Sequence, residues 1–225
     1  MTKPLSVLVV ALFFFSALFL GACNIVAPIA YLVEGPPKKP AVTELPPDRT
    51  AVIFIDDLRT VLPRRSLSDI IGRNAEETIL RAKLLPSDYL VTSRSARRVV
   101  EADSTSSMTS IVDVGRELGA EVVIYLDMQQ FTISGNAATI SPTAAARVKI
   151  YDAVENEQIW GGGSGYLLSL EMQTQTTTGM ISRDERYRIE EQLAQEFGID
   201  IGRMFFEHEP ESLRSRRERT GLGGR

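Results

Sequence analysis

From Ala51 onward the apolar residues fall into runs of different period, and each period predicts an element. Ala51-Val52-Ile53-Phe54-Ile55 is short and continuous, the pattern of a strand buried on both faces. A helix is expected from Ser66 or Ser68, with Ile70, Ile71, Ala75, Ile79, Ala82 and Leu85 on one face and Pro86 as its stop. Tyr89-Leu90-Val91-Thr92 reads as a second strand, and Ser95 to Glu101 as a short helix with an Arg97-Arg98 surface. Ser110 to Leu118 reads as another helix, closed by Gly119 in the left-handed conformation. Ala120 to Leu126 is a third strand that can run on through Phe131 and Ile133. Thr143 to Tyr151 alternates, with Ala144, Ala146, Val148 and Ile150 on one side. A polar hairpin loop, Asp152 to Gln158, leads to Ile159-Trp160, and Tyr166, Leu168 and Leu170 alternate again. The last element is a long helix from about Ser182 to Glu207, with a stripe of Ile189, Leu193, Phe197, Ile201, Met204 and Phe205. Gly198 and Gly202 within it point to close packing or a weaker helix. The order of elements predicts a single α/β sandwich domain, a mixed sheet of about five strands covered by helices.

The amino terminus has a different pattern. Met1-Thr2-Lys3 supplies a positive head, Leu5 to Leu20 is almost unbroken apolar sequence, and small residues follow, the order of an export signal. The run ends Leu20-Gly21-Ala22-Cys23, and Cys23 is the chain's one cysteine. This tetrad resembles the lipobox of bacterial lipoproteins. The resemblance implies cleavage before Cys23, a diacylglycerol on its thiol and acylation of the new amino terminus. The alternative is an uncleaved anchor, which Val26 to Val33 would lengthen, since the run is about 16 residues against the ~20 of a comfortable span. Asn24, not an acid, follows the cysteine. By the same resemblance the destination is the outer membrane, with the protein facing the periplasm.

These patterns divide the chain into a signal peptide (1–22), a lipidated proline-rich spacer (23–49), an α/β domain (50–208) and a disordered basic tail (209–225). Residues 34–49 hold five prolines, which favour an extended spacer at about 3.1 Å per residue. Ser212 to Arg225 carries five arginines, one glutamate and no apolar face. Removing 1–22 takes away one lysine and no acid, so the net charge of −4 becomes −5. That balance argues against a nucleic-acid partner. Acylation of Cys23 would leave no thiol for a disulfide, so the core must carry the fold.

A wider resemblance rests on two pieces: the Leu118-Gly119-Ala120 step before a strand, and the strand–Asp152–loop–Ile159-Trp160 hairpin. Over about residues 50–207 the chain resembles a group of envelope lipoproteins and periplasmic domains. The group includes the curli-export lipoprotein, the lipoprotein activators of penicillin-binding proteins and the amino-terminal domain of the Tol translocation protein. The resemblance implies a fold and a non-enzymatic accessory role, and transfers no functional residue.

Candidate chemistry is sparse. His208 stands alone between Glu207 and Glu209 and is expected at a solvated helix end. A lone histidine without a cysteine partner builds no ordinary zinc site and no catalytic triad. Asp56-Asp57 and Asp127 end strands, where acids can hold Mg²⁺, but turn-forming and capping roles are the better expectation. Gly161-Gly162-Gly163-Ser164-Gly165 lacks the Lys-Ser/Thr and following helix of a phosphate loop and reads as a turn or bulge. Gln173 to Gly179 reads as an exposed loop. No cofactor, metal, catalytic residue or small-molecule substrate is implied. The expected function is that of an accessory or scaffold lipoprotein, held to the membrane through its lipid and binding a protein or peptidoglycan partner. The alternative is a subunit of an outer-membrane export pore of the curli-export type. An enzyme ranks last.

Overall fold

The computed structural model describes residues 37–102, 110–133, 139–172, 175–176 and 181–210. Leu20, Gly21, Ala22 and Cys23 lie outside the described residues, as does the tail from 211 onward. The chain divides into two units, Ala41–Glu207 and a terminal pair, Met1–Pro40 with His208–Arg225. In the terminal unit Lys39 and His208 form an antiparallel bridge, with N–H to carbonyl distances of 2.7 and 3.0 Å. His208 therefore sits in extended backbone five residues past the last helix rather than at the helix end.

The larger unit is a mixed sheet between two helical layers. Its elements are β1 (Ala51–Asp56), α1 (Arg65–Arg81), β2 (Leu90–Val91), α2 (Ser93–Ala102), α3 (Ile111–Leu118), β3 (Val122–Thr132), β4 (Thr139–Ile140), β5 (Thr143–Asp152), β6 (Glu157–Trp160), β7 (Tyr166–Glu171), β8 (Gln175–Thr176) and α4 (Arg183–Arg203). The main sheet runs β2-β1-β3-β5-β6, and β7 also pairs with β5. β1 is parallel to both neighbours, and β3, β5, β6 and β7 pair antiparallel. The expected α/β sandwich with about five strand positions is the observed fold. β4 and β8 form a separate two-stranded pair.

The strand patterns explain the layers. One sheet face presents Ile53, Ile124, Leu126, Ala146, Val148 and Ile150 to α1 and α4. The other presents Val52, Phe54 and Val123 to Ala96 of α2 and to Val112 and Val114 of α3. β1 carries core on both faces, hence its unbroken apolar run. Full burial of an aliphatic side chain contributes roughly 1.5–3 kcal/mol, so the larger cluster dominates stability. Leu45, ahead of β1, joins it, and Val42 N–H bonds the Met204 carbonyl at 2.7 Å.

Three boundaries differ from expectation for local reasons. α1 stops at Arg81, ahead of Pro86, because Lys83 turns left-handed with φ 57°. Its N–H bonds the Leu80 carbonyl and the next N–H bonds Ile79, a Schellman closure without glycine. β2 shrinks to two residues because Ser87–Tyr89 winds into a 3₁₀ turn after Pro86. α4 ends at Arg203 rather than Glu207. Ser110 and Ser182 cap α3 and α4 by accepting from Asp113 and Glu185 N–H at 3.2 Å each. Gly119 closes α3 with φ 67°, as its position implied.

Candidate functional site

Strand order β2-β1-β3 places a crossover on each face of β1. The chain leaves β1 through α1 on one face and returns to β3 through α2 and α3 on the other. The carboxyl ends of β1 and β3 therefore flank a switch point, where open α/β sheets bind ligands. A cavity of about 300 Å³ opens at the carboxyl end of β1, lined by Phe54, Asp56, Asp57 and Leu58 of β1 and its loop and by Arg97 and Glu101 of α2, among others.

Asp56 ends β1 as expected, whereas Asp127 lies mid-strand because β3 runs on to Thr132; the register still sets the two side by side, and each is engaged. Asp56 and Asp127 are register partners across β1 and β3. Tyr125 Oη donates to Asp56 Oδ2 at 2.6 Å, and Leu58 N–H donates to the other oxygen at 3.2 Å. Burial first, and then the bond to Asp56, pushes the Tyr125 hydroxyl far above its ordinary pKa, so it stays a donor. Asp57 closes the loop after β1, accepting from Val61 and Leu62 N–H at 2.8 and 3.2 Å. This is the turn-forming role expected of it. Asp127 faces Arg59 at 3.8 Å, and Arg59 donates to Gln129 at 2.8 Å. On the cavity's helical side Arg97 pairs with Asp69 at 2.7 Å, and Arg65 pairs with Glu101 at 3.2 Å. Among the described residues no group of three or more His, Cys, Asp or Glu is arranged to hold a metal ion. The cluster organises the loop mouth through charge-assisted bonds.

The Gly161–Gly165 stretch is a bulge, as its composition suggested. Trp160 faces Ile150 and Tyr166 faces Val148, so β6 and β7 are halves of one edge strand with five residues looped out between them. Gly161 has φ 102°, and a Cβ there would lie 2.6 Å from the Val148 carbonyl oxygen. Only glycine fits that crossing. Trp160 and Tyr166 meet across the bulge with ring centroids 5.4 Å apart. Residues 173–174 and 177–179 of the expected loop lie outside the described residues, while the 175–176 backbone pairs with β4.

Two ionic clusters were missed by pattern reading. Arg49 holds Asp152 with both nitrogens, at 2.6 and 2.9 Å, and reaches the Glu121 carbonyl at 3.2 Å. Asp152 also accepts from Val154 and Glu155 N–H at 2.9 Å each. The Arg49 bonds, joined by those two amides, hold the buried carboxyl well below the usual carboxylate range. Arg64 bonds Glu190 at 3.2 Å and lies 4.3 Å from the Tyr187 ring centroid. Glu190 is thus a buried acid within α4, held by the Arg64 pair. Both acids sit on recognisable elements, but their partners lie more than 100 residues away in sequence.

No family model and no curated protein matches the chain. Solved structures do. The PelC dodecamer from Paraburkholderia phytofirmans matches at 10% identity and TM-score 0.34, covering 74% of this chain and 95% of that one. Lipoprotein GNA1162 from Neisseria meningitidis matches at 10% identity and TM-score 0.37, covering 65% and 97%. Uncharacterized lipoprotein B from Nitrosomonas europaea matches at 15% identity and TM-score 0.31, covering 82% and 92%. At TM-scores below 0.5 the fold is defined by this chain's own strands and helices. Among the described residues no helix is long and apolar enough to cross a membrane.

Proposed function

We propose that this chain is a non-enzymatic lipoprotein of the cell envelope, anchored through acylated Cys23, that positions a folded α/β module to bind a protein or peptidoglycan partner. The carrying observation is the sequence of positive head, apolar run and small residues that ends at Leu20-Gly21-Ala22-Cys23. Two or three acyl chains hold a protein stably, at about 0.8 kcal/mol per buried methylene. The absence of an acid after Cys23 favours the outer membrane, facing the periplasm.

The chemistry of the folded unit supports an accessory role. Asp56, Asp57 and Asp127 are committed to Tyr125, loop amides and Arg59, so their bonds organise structure. The structure also favours the module over a pore subunit. β5 alternates as a membrane hairpin would, but its apolar positions pack between β3 and β7 under α4. Crosslinking in intact envelopes, with the captured species identified by mass spectrometry, tests the proposal. A discrete protein or peptidoglycan adduct is the expected result. A closed ring of this chain alone would replace the module with the pore.

A further inference from the structure

Among the described residues β7 pairs only with β5 and so forms an open edge of the main sheet, and its backbone bonding pattern can be read residue by residue. Met172 N–H bonds the Pro142 carbonyl at 2.9 Å, which makes those two a hydrogen-bonded pair. Alternation along the antiparallel ladder then turns Leu170, Leu168 and Tyr166 toward β5. On the far side of β5, Ala153 N–H bonds the Glu121 carbonyl at 2.8 Å, which turns its odd residues toward β3 and its even residues toward β7. The two ladders agree. The backbone groups of Leu167, Ser169 and Glu171 therefore point out of the sheet, and no described residue bonds them.

Protein edges are usually blunted by Lys, Pro or a bulge. The glycine bulge guards the β6 half, but β7 reads Tyr-Leu-Leu-Ser-Leu-Glu, without lysine or proline. Apolar surface gathers around it. Ile159, Tyr166 and Leu167 are 42, 38 and 53% exposed. Open amides and carbonyls on an extended edge call for another extended strand.

We propose that β7 pairs antiparallel with β7 of a second copy of this chain, about a two-fold axis at Leu168 normal to the sheet. That axis keeps the core faces of both sheets on one side, because directly opposite residues share a face. In this register Leu168 meets Leu168, Tyr166 meets Leu170, and Leu167 meets Ser169. The first two pairs extend the apolar core face, where Leu168 and Leu170 already pack against the main cluster. The third pair uses the outward amides of Leu167 and Ser169. No charge faces a like charge, since Glu171 falls opposite Gly165. A strand that is self-complementary in side chain, backbone and charge fits a copy of itself without any second sequence. The edge is the same with or without acyl chains, so this proposal stands apart from the anchor.

The test uses the full chain in detergent, with molar mass measured by light scattering over a concentration series to about 100 µM, a range suited to a small interface. The expected result is a monomer–dimer equilibrium. Ser169→Pro removes an N–H that no described residue accepts, so it should raise the dimer dissociation constant at least tenfold while leaving the circular dichroism spectrum and melting unchanged. A second readout needs no variant. The Leu167 and Ser169 amides should exchange slowly with deuterium at high concentration and quickly on dilution, while Leu168 and Leu170 stay protected throughout. A monomer at every concentration, a dimer that survives Ser169→Pro, a larger ring, or concentration-independent exchange at Leu167 and Ser169 would overturn the proposal.

Discussion

Asp152 shows how one carboxylate can organise several segments. It receives Arg49 from ahead of β1 and caps the hairpin turn after β5. Its folded pKa lies below the unfolded value near 4, so the stability it contributes is complete above about pH 4 and lost as pH falls through the lowered pKa. Arg49→Ala leaves the buried carboxylate with only its backbone donors. Because Arg49 is partly exposed, the expected cost is roughly 2–3 kcal/mol at pH 7, under the 3–5 of a fully buried pair. Urea midpoints measured from pH 7 to 2 should show the gap between wild type and variant narrowing below pH 4. A constant gap would mean the arginine acts through packing and not through its charge.

At the scale of elements, α4 is the clearest case of pattern becoming structure. Ile189, Leu193, Phe197 and Ile201 are buried along one stripe, as their spacing implies. Phe197→Ala should cost about 3–5 kcal/mol, read from urea melts, because the ring is fully buried. Gly198 carries the finer argument. A Cβ there would collide with the Ile71 carbonyl oxygen of α1 and lie 2.8 Å from the Asn74 Cβ. Helix propensity alone would reward Gly198→Ala by about 1 kcal/mol. Overpacking at the α1–α4 contact should reverse the sign and give a net loss of roughly 1–2 kcal/mol. Thermal melts distinguish the two, and a stabilised variant would mean the helices can separate freely.

Periodicity exposes elements that bury one face or both, so β1, β5, α3 and α4 were readable from Val52, Ala146, Val114 and Phe197. Boundaries set by one backbone angle were not. Lys83 carries a left-handed turn that sequence habit assigns to glycine, so α1 ended earlier than Pro86 suggested. Asp56 and Asp127 were visible as acids, but the place of Asp127 in mid-strand and the roles of both depended on Tyr125 and Arg59, which meet them through the β1–β3 register. Helical spacing cannot foresee the burial of Glu190, because its partner Arg64 arrives from 126 residues away.

On the whole-molecule scale, the Ala41–Glu207 unit should fold without the terminal residues. Leu45 and Arg49 supply core and clamp ahead of β1, so a fragment beginning at Ala41 should unfold at higher urea than one beginning at Thr50. The difference should reach roughly 3 kcal/mol or more, from the lost clamp and the uncovered core. Equal midpoints would mean that residues 41–49 only decorate the unit.

We propose that this unit works at the end of a lipid tether, and the chemistry of the mature amino terminus decides it. Mass spectrometry of the membrane-extracted protein should find a first residue of Cys23 carrying diacylglycerol on its sulfur. Cys23→Ser should be unprocessed or released and should take up no palmitate. An amino terminus still at Met1, with an unmodified Cys23 thiol and no palmitate label, would rule out the lipid tether.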